Sequence, residues 1–220
     1  AKPHDYYTMG DWEISPNNQY LAYSYNTNGD ERYKIAIKDL NTGELLSDEL
    51  TDTNGSIAFG ADNKTLVYGR LDDERWFTKS VNVHSLGSDS SKDKTIHTEN
   101  DDGFFIQFSM SSSNEYLIIE SGQSETVETF VVPANDLFAT PTKLVSREQA
   151  FINSVDHANG YFYIIANDTH VNSRMAKVSD EDPSYDKWET VIAGSDDLYL
   201  KGMSVFKDFM VVSFREKGIE

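Results

Sequence analysis

The residues of this chain best placed to do chemistry are its acids. Across 220 residues there are 37 Asp and Glu against 19 Lys and Arg, a net charge of −18. They gather in short runs: Asp30-Glu31, Asp72-Asp73-Glu74, Glu99 with Asp101-Asp102, and Asp196-Asp197. Carboxylates grouped in this way repel nucleic-acid backbones and anionic membrane surfaces and concentrate cations, so neither nucleic acid nor membrane is an expected partner. The run Asn26–Glu31 (NTNGDE) has the composition of a calcium loop but not its spacing, because Glu31 stands where the loop's Gly must follow the third ligand. A strand-to-strand turn is expected there instead.

Nucleophilic and metal chemistry lack their signatures. A serine on a strained strand-to-helix elbow needs small flanking residues, as in G-x-S-x-G. Here Gly122-Gln123-Ser124 runs on into Glu125-Thr126, and Gly202-Met203-Ser204 into Val205-Phe206. Histidines 4, 84, 97, 157 and 170 are scattered without a helical metal spacing and are expected to be surface or packing residues. Cysteine is absent, which removes thiolate sites and disulfides. No glycine-rich phosphate cradle appears, so no metal, cofactor or catalytic residue is expected within this chain. Trp76 beside Arg75 is a composition common at interfaces, although a Trp covering a strand edge is an equal reading. Sequons at Asn54, Asn63 and Asn167 stand without a leader segment to support them. With no leader and no apolar run near the length of a membrane span, a cytoplasmic location is expected, with the periplasm left open.

The elements that must carry these residues are strands. Apolar runs begin at Tyr20 (YLAYS), Thr65 (TLVYG), Tyr116 (YLIIE), Tyr161 (YFYII) and Phe209 (FMVVSF), so the pattern returns every 45, 51, 45 and 48 residues. Each has a preceding strand (WEIS, SIAFG, FFIQFS, INSVD, LKGMSVF), and the first four have a following one (YKIAIKDL, TKSVNVHSL, ETFVVPANDL, SRMAKVSD). A weaker fourth strand closes each of those four units (LLSDEL, KTIHT, TKLVS, KWETVIA). Four strands in a period of about 45 residues are the mark of a β-propeller blade. The fold expected is all-β, a partial propeller of four-stranded antiparallel blades. Its units lie at about 12–52, 56–98, 104–146, 152–193 and, incomplete, 199–220.

Blade topology then sorts the acids. With strands A to D in order, the B-to-C and D-to-A loops emerge on one face; the former hold Asp30-Glu31, Asp72–Glu74, Glu125 and Asp168, the latter Asp52, Glu99 with Asp101-Asp102, Glu148 and Asp196-Asp197. The A-to-B turns (PNNQ, ADNK, SSSNE, HANG, FKD) hold mainly amides and small residues. One acidic face is expected, able to draw in cationic ligands.

The sequence SPNNQYLAYS, followed by NGDERYKI and DLNTGE, resembles the opening propeller units of the prolyl oligopeptidase family. HTENDDGFF, SSSNEYLIIESGQSETVE, VDHANGYFYIIAND and LKGMSVFKDFMVVSFREKG narrow the likeness to its oligopeptidase B, or protease II, branch. The resemblance implies a seven-bladed propeller paired with an α/β-hydrolase domain bearing Ser, Asp and His, and cleavage of short peptides after Arg or Lys. About four and a half blades and no hydrolase domain are present, so the resemblance carries no catalytic residue onto this chain. It implies instead a substrate-gating, size-filtering part, inactive alone, whose partners are the hydrolase domain and short basic peptides. Glu99, Asp101, Asp102, Asp72, Asp73, Glu74, Asp196 and Asp197 are the expected steering or interdomain residues. Open strand edges would favour self-association. The alternatives are a freestanding propeller that binds proteins and, behind it, a carbohydrate-active or periplasmic propeller.

Overall fold

The computed structural model describes residues 4–148, 152–217 and 219. Among them there is no α-helix, and no helix long and apolar enough to cross a membrane. The all-β expectation holds: antiparallel strands follow one another as meanders, and two of the sheets have four strands. The chain divides into two compact units, Ala1–Phe108 with Pro133–Pro141, and Ser109–Val132 with Thr142–Glu220.

The first unit carries β1 (Thr8–Ile14), β2 (Tyr20–Asn26), β3 (Tyr33–Asp39), β4 (Leu45–Phe59), β5 (Thr65–Leu71), β6 (Thr78–Ser85) and β7 (Lys94–Thr98). They form one seven-stranded sheet in sequence order. Alternation places Ala22 on β2, Ile35 and Ile37 on β3, Leu50, Ile57 and Phe59 on β4, and Leu66 and Tyr68 on β5 in one buried cluster. Each such Ile, Leu or Phe side chain contributes about 1.5–3 kcal/mol by leaving water.

Asp52 corrects the sequence reading. It was expected in a D-to-A loop between two units, but it lies inside β4, which pairs with β3 (Ile35↔Leu50) and then with β5 (Ile57↔Tyr68). A polar stretch that reads as a loop is instead a bent strand. Positive φ at Asp52 (56°) and Gly55 (92°) deflects the chain, while the ladder resumes on either side.

The second unit begins within β8 (Phe105–Met110), which joins β9 (Tyr116–Gln123), β10 (Thr126–Pro133) and β11 (Thr142–Val145) in a sheet. A second sheet contains β12 (Asn153–Ala158), β13 (Tyr161–Ala166), β14 (Arg174–Ser179) and β15 (Glu189–Ile192), and β16 (Leu198–Val205) pairs with β17 (Met210–Glu216). Ile118, Val131, Val155, Phe162, Ile164 and Trp188 are among the side chains of its larger core cluster.

The repeat is written most sharply in the turns before β2, β5, β9 and β13. Asn18, Asn63, Asn114 and Asn159 each adopt the left-handed conformation, at φ of 59°, 62°, 59° and 53°. Asn tolerates this region better than other residues with a Cβ, because its short amide bonds locally. In the Asn159-Gly160 hairpin both central residues have positive φ, as a two-residue type I′ turn demands, and Ala158 pairs with Tyr161.

Candidate functional site

Two acidic loops of the first unit are tied together. In the β2–β3 loop the buried Asn26 amide donates to the Asp30 carboxylate and to the Arg32 carbonyl, and its oxygen accepts from the backbone N–H groups of Asn28 and Gly29. These bonds make a tight turn of the NTNGDE run, as its spacing led one to expect. They hold Asp30 below the usual carboxylate range, led by the Asn26 side chain and the Arg32 backbone. Within that turn Glu31 takes φ of 59°, a left-handed position unusual for a long side chain.

From the β5–β6 loop, Trp76 donates its indole N–H to the Asp30 carbonyl at 2.8 Å. Arg32 returns the tie by donating to the carbonyls of Asp72 (2.8 Å) and Asp73 (3.2 Å). Between the loops and the start of β8 lies an open cleft of about 590 Å³, lined among others by Glu31, Tyr33, Asn54, Trp76, Phe77 and Phe105. Trp76 is 70% exposed and Phe105 55% exposed, so two aromatic surfaces are presented at the cleft.

The eight acids picked from the sequence fare differently. Asp73, Glu74, Asp101 and Asp102 are exposed, and Asp72 is half-buried with its carboxylate accepting from the Glu74 N–H at 3.0 Å. Asp101 accepts from the Gly103 N–H, and Asp102 is ion-paired with Arg75. Glu99 is only 6% exposed, and its carboxylate accepts from the Asp101 N–H at 2.8 Å. It organises the 99–103 turn from inside. Asp196 and Asp197 are exposed in the second unit, where Asp196 lies 3.3 Å from Nε2 of His170. Asp168, another acid assigned to the acidic face, has its carboxylate buried and clasped by Arg174 through Nε and Nη2.

Two histidines are more than packing. His84 is fully buried with Asp48 2.8 Å from Nε2 and Asp93 2.7 Å from Nδ1, while Tyr68 donates to the other Asp93 oxygen. His157, also fully buried, meets Ser113 Oγ at Nδ1 (2.7 Å) and Asp180 at Nε2 (3.1 Å). The potential ligand atoms of Glu115, His157 and Asp180 fall within 4.8 Å of one another. Asp180 and Glu115 nevertheless address different ring nitrogens, and Ser113 already occupies Nδ1, so the group works as a hydrogen-bond relay joining the turn before β9 to β12. Spacing along the chain could not reveal either histidine, because their carboxylate partners come from other strands and turns.

The fold agrees with the comparisons. Residues 1–220 match the family described as prolyl oligopeptidase, N-terminal beta-propeller domain. Dipeptidyl aminopeptidase BI of Pseudoxanthomonas mexicana is 32% identical over 220 residues, covering 98% of this chain and 30% of that protein. Protease 2 of Moraxella lacunata is 30% identical over 222 residues, covering 100% of this chain and 32% of that protein. The chain thus spans about a third of the length of these relatives. Oligopeptidase B from Leishmania major superposes with a TM-score of 0.89 at 22% identity, over 99% of this chain and 31% of that one. Oligopeptidase B from Trypanosoma brucei, in a closed form with covalently bound antipain, gives 0.86 at 24%, over 99% and 31%. Those two identities speak for the fold alone. With the family match running from the first residue to the last, the chain belongs to the prolyl oligopeptidase family, as its N-terminal β-propeller domain.

Proposed function

We propose that the chain is the non-catalytic propeller part of a serine oligopeptidase that hydrolyses short peptides after Arg or Lys. The family match over the whole chain carries the peptidase part of this reading, and the exposed acids motivate the preference for Arg and Lys. In it, the units at about 12–52, 56–98, 104–146, 152–193 and 199–220 are blades, and the propeller admits short peptides while turning folded proteins away. A serine on the hydrolase domain attacks the scissile carbonyl, with histidine as its base and aspartate orienting the histidine. The propeller's contribution is access and charge. Exposed carboxylates at Asp73, Glu74, Asp101 and Asp102 support attraction of cationic peptides, and Asp72, Asp196 and Asp197 add to the same field. Glu99 shapes the turn that carries Asp101 and Asp102. The same proposal places the protein in the cytoplasm and lets the exposed edge strand β1, with Met9 and Trp12 outward, pair with another copy at high concentration.

The test is charge reversal in the whole enzyme. Asp73→Lys, Glu74→Lys, Asp101→Lys and Asp102→Lys together are expected to lower kcat/KM for an Arg reporter peptide about tenfold at low salt, the loss shrinking as salt screens the field. An unchanged kcat/KM at low salt would remove steering from the account.

A further inference from the structure

We propose that the cleft framed by Glu31, Trp76 and Phe105 is a built binding site for the guanidinium or ammonium side chain of an extended peptide. The inference deepens the reading above and rests on it for the class of ligand, but it names a short-range site rather than a field.

Four features point to a cation. Trp76 is 70% exposed although its indole N–H is satisfied by the Asp30 carbonyl, so a fixed aromatic surface is offered to the cleft. Aromatic faces attract cations through their quadrupole, and Arg and Lys are the side chains that use it. Phe77, in the same cleft, already does this internally, with Arg75 5.9 Å and Lys79 5.8 Å from its ring centroid.

Glu31 supplies a carboxylate from a left-handed backbone position, the conformation that glycine fills with least strain. The nearby guanidinium groups are already engaged: Arg32 by the Asp72 and Asp73 carbonyls and by Asp52 at 3.7 Å, and Arg75 by Asp102. Gln107, exposed on the same strand as Phe105, brings to the cleft an amide with no protein partner among the described residues. An amide there can pair with a peptide backbone. The volume, about 590 Å³, lies within the range of small-ligand clefts.

The experiment is titration of the whole enzyme, its active-site serine first blocked by a fluorophosphonate so that nothing is cleaved, with a blocked tripeptide, Ala-Arg-Ala, and with its citrulline isostere, followed by calorimetry and by the indole N–H resonance of Trp76. The arginine peptide is expected to bind and to shift that resonance, with the citrulline peptide about tenfold weaker. Trp76→Ala and Glu31→Gln are each expected to weaken the arginine peptide about tenfold. Glu31→Gly is the control for folding: it removes the carboxylate but suits the φ of 59°, so thermal stability is held or raised while the arginine peptide still binds about tenfold more weakly. No binding, equal affinity for the two peptides, or full affinity in Glu31→Gly and Trp76→Ala overturns the proposal. Repeating the titration at about 0.5 M salt separates the two readings, because long-range steering is screened there and contact in the cleft much less so. A preference for arginine that ignores Glu31 and Trp76 sinks the cleft and spares the steering. The expected binding pattern, joined to a whole enzyme that does not cleave after Arg or Lys, does the reverse.

Discussion

His84 on β6 sets its Nε2 2.8 Å from Oδ1 of Asp48 on β4, and both side chains are almost fully buried. Among the described residues the second Asp48 oxygen has no hydrogen-bond partner, so this ring and the Gly87 N–H, which also donates to Oδ1, compensate a carboxylate taken out of water. Removing one member of a buried pair costs about 3–5 kcal/mol, because the other charge is stranded. His84→Leu is therefore expected to lower the urea midpoint of the chain sharply. His84→Gln, which can still donate one hydrogen bond, loses less. Equal midpoints for His84→Leu and the parent chain would refute the role.

Asp168 and Arg174 form the corresponding clasp in the second unit, with Tyr185 donating to the same carboxylate at 3.0 Å. A lysine cannot reproduce two parallel N–H donors. Arg174→Lys should destabilise the chain by about 1–3 kcal/mol, the cost of leaving a buried acceptor short of a donor, as read by denaturant unfolding.

The left-handed asparagines separate backbone from side-chain effects. Alanine at Asn114 is expected to cost about 1–2 kcal/mol, and glycine there little. At Asn63 glycine also costs stability, because its Oδ1 accepts the Asn17 N–H at 2.7 Å. If Asn63→Gly and Asn114→Gly were equally tolerated, the Asn63 bond would contribute nothing.

Burial pushes the Glu120 carboxyl on β9 above its ordinary 4.5, and among the described residues it has no hydrogen bond or ion pair. A raised carboxyl pKa penalises the folded state once the group ionises. The penalty is absent below the unfolded value and complete above the folded one. Glu120→Gln should therefore raise stability at pH 8, and the gain should fade as pH drops towards 4.5 and below.

Strand identity, the four-strand rhythm and the Asn-rich turns were legible because each rests on neighbours in sequence. Alternation marked β2 and β3, and Asn159-Gly160 announced its hairpin. The bent continuity of β4 was not legible, since its polar middle, Asp52 to Gly55, has loop composition and is held by partners on two sides. Nor were the surroundings of His84 or the inward turn of Glu99, which depend on residues brought together only by the sheet. The cleft stood half revealed: Trp76 and the acids were noticed, while their union through Asp30 required coordinates.

The most direct measurement is cleavage by the whole enzyme of short reporter peptides ending in Arg, Lys or Pro, alongside a folded protein bearing exposed Arg residues. The account predicts hydrolysis after Arg and Lys in the short peptides, little after Pro, and an intact folded protein. Preference for Pro, or ready digestion of the folded protein, would contradict it.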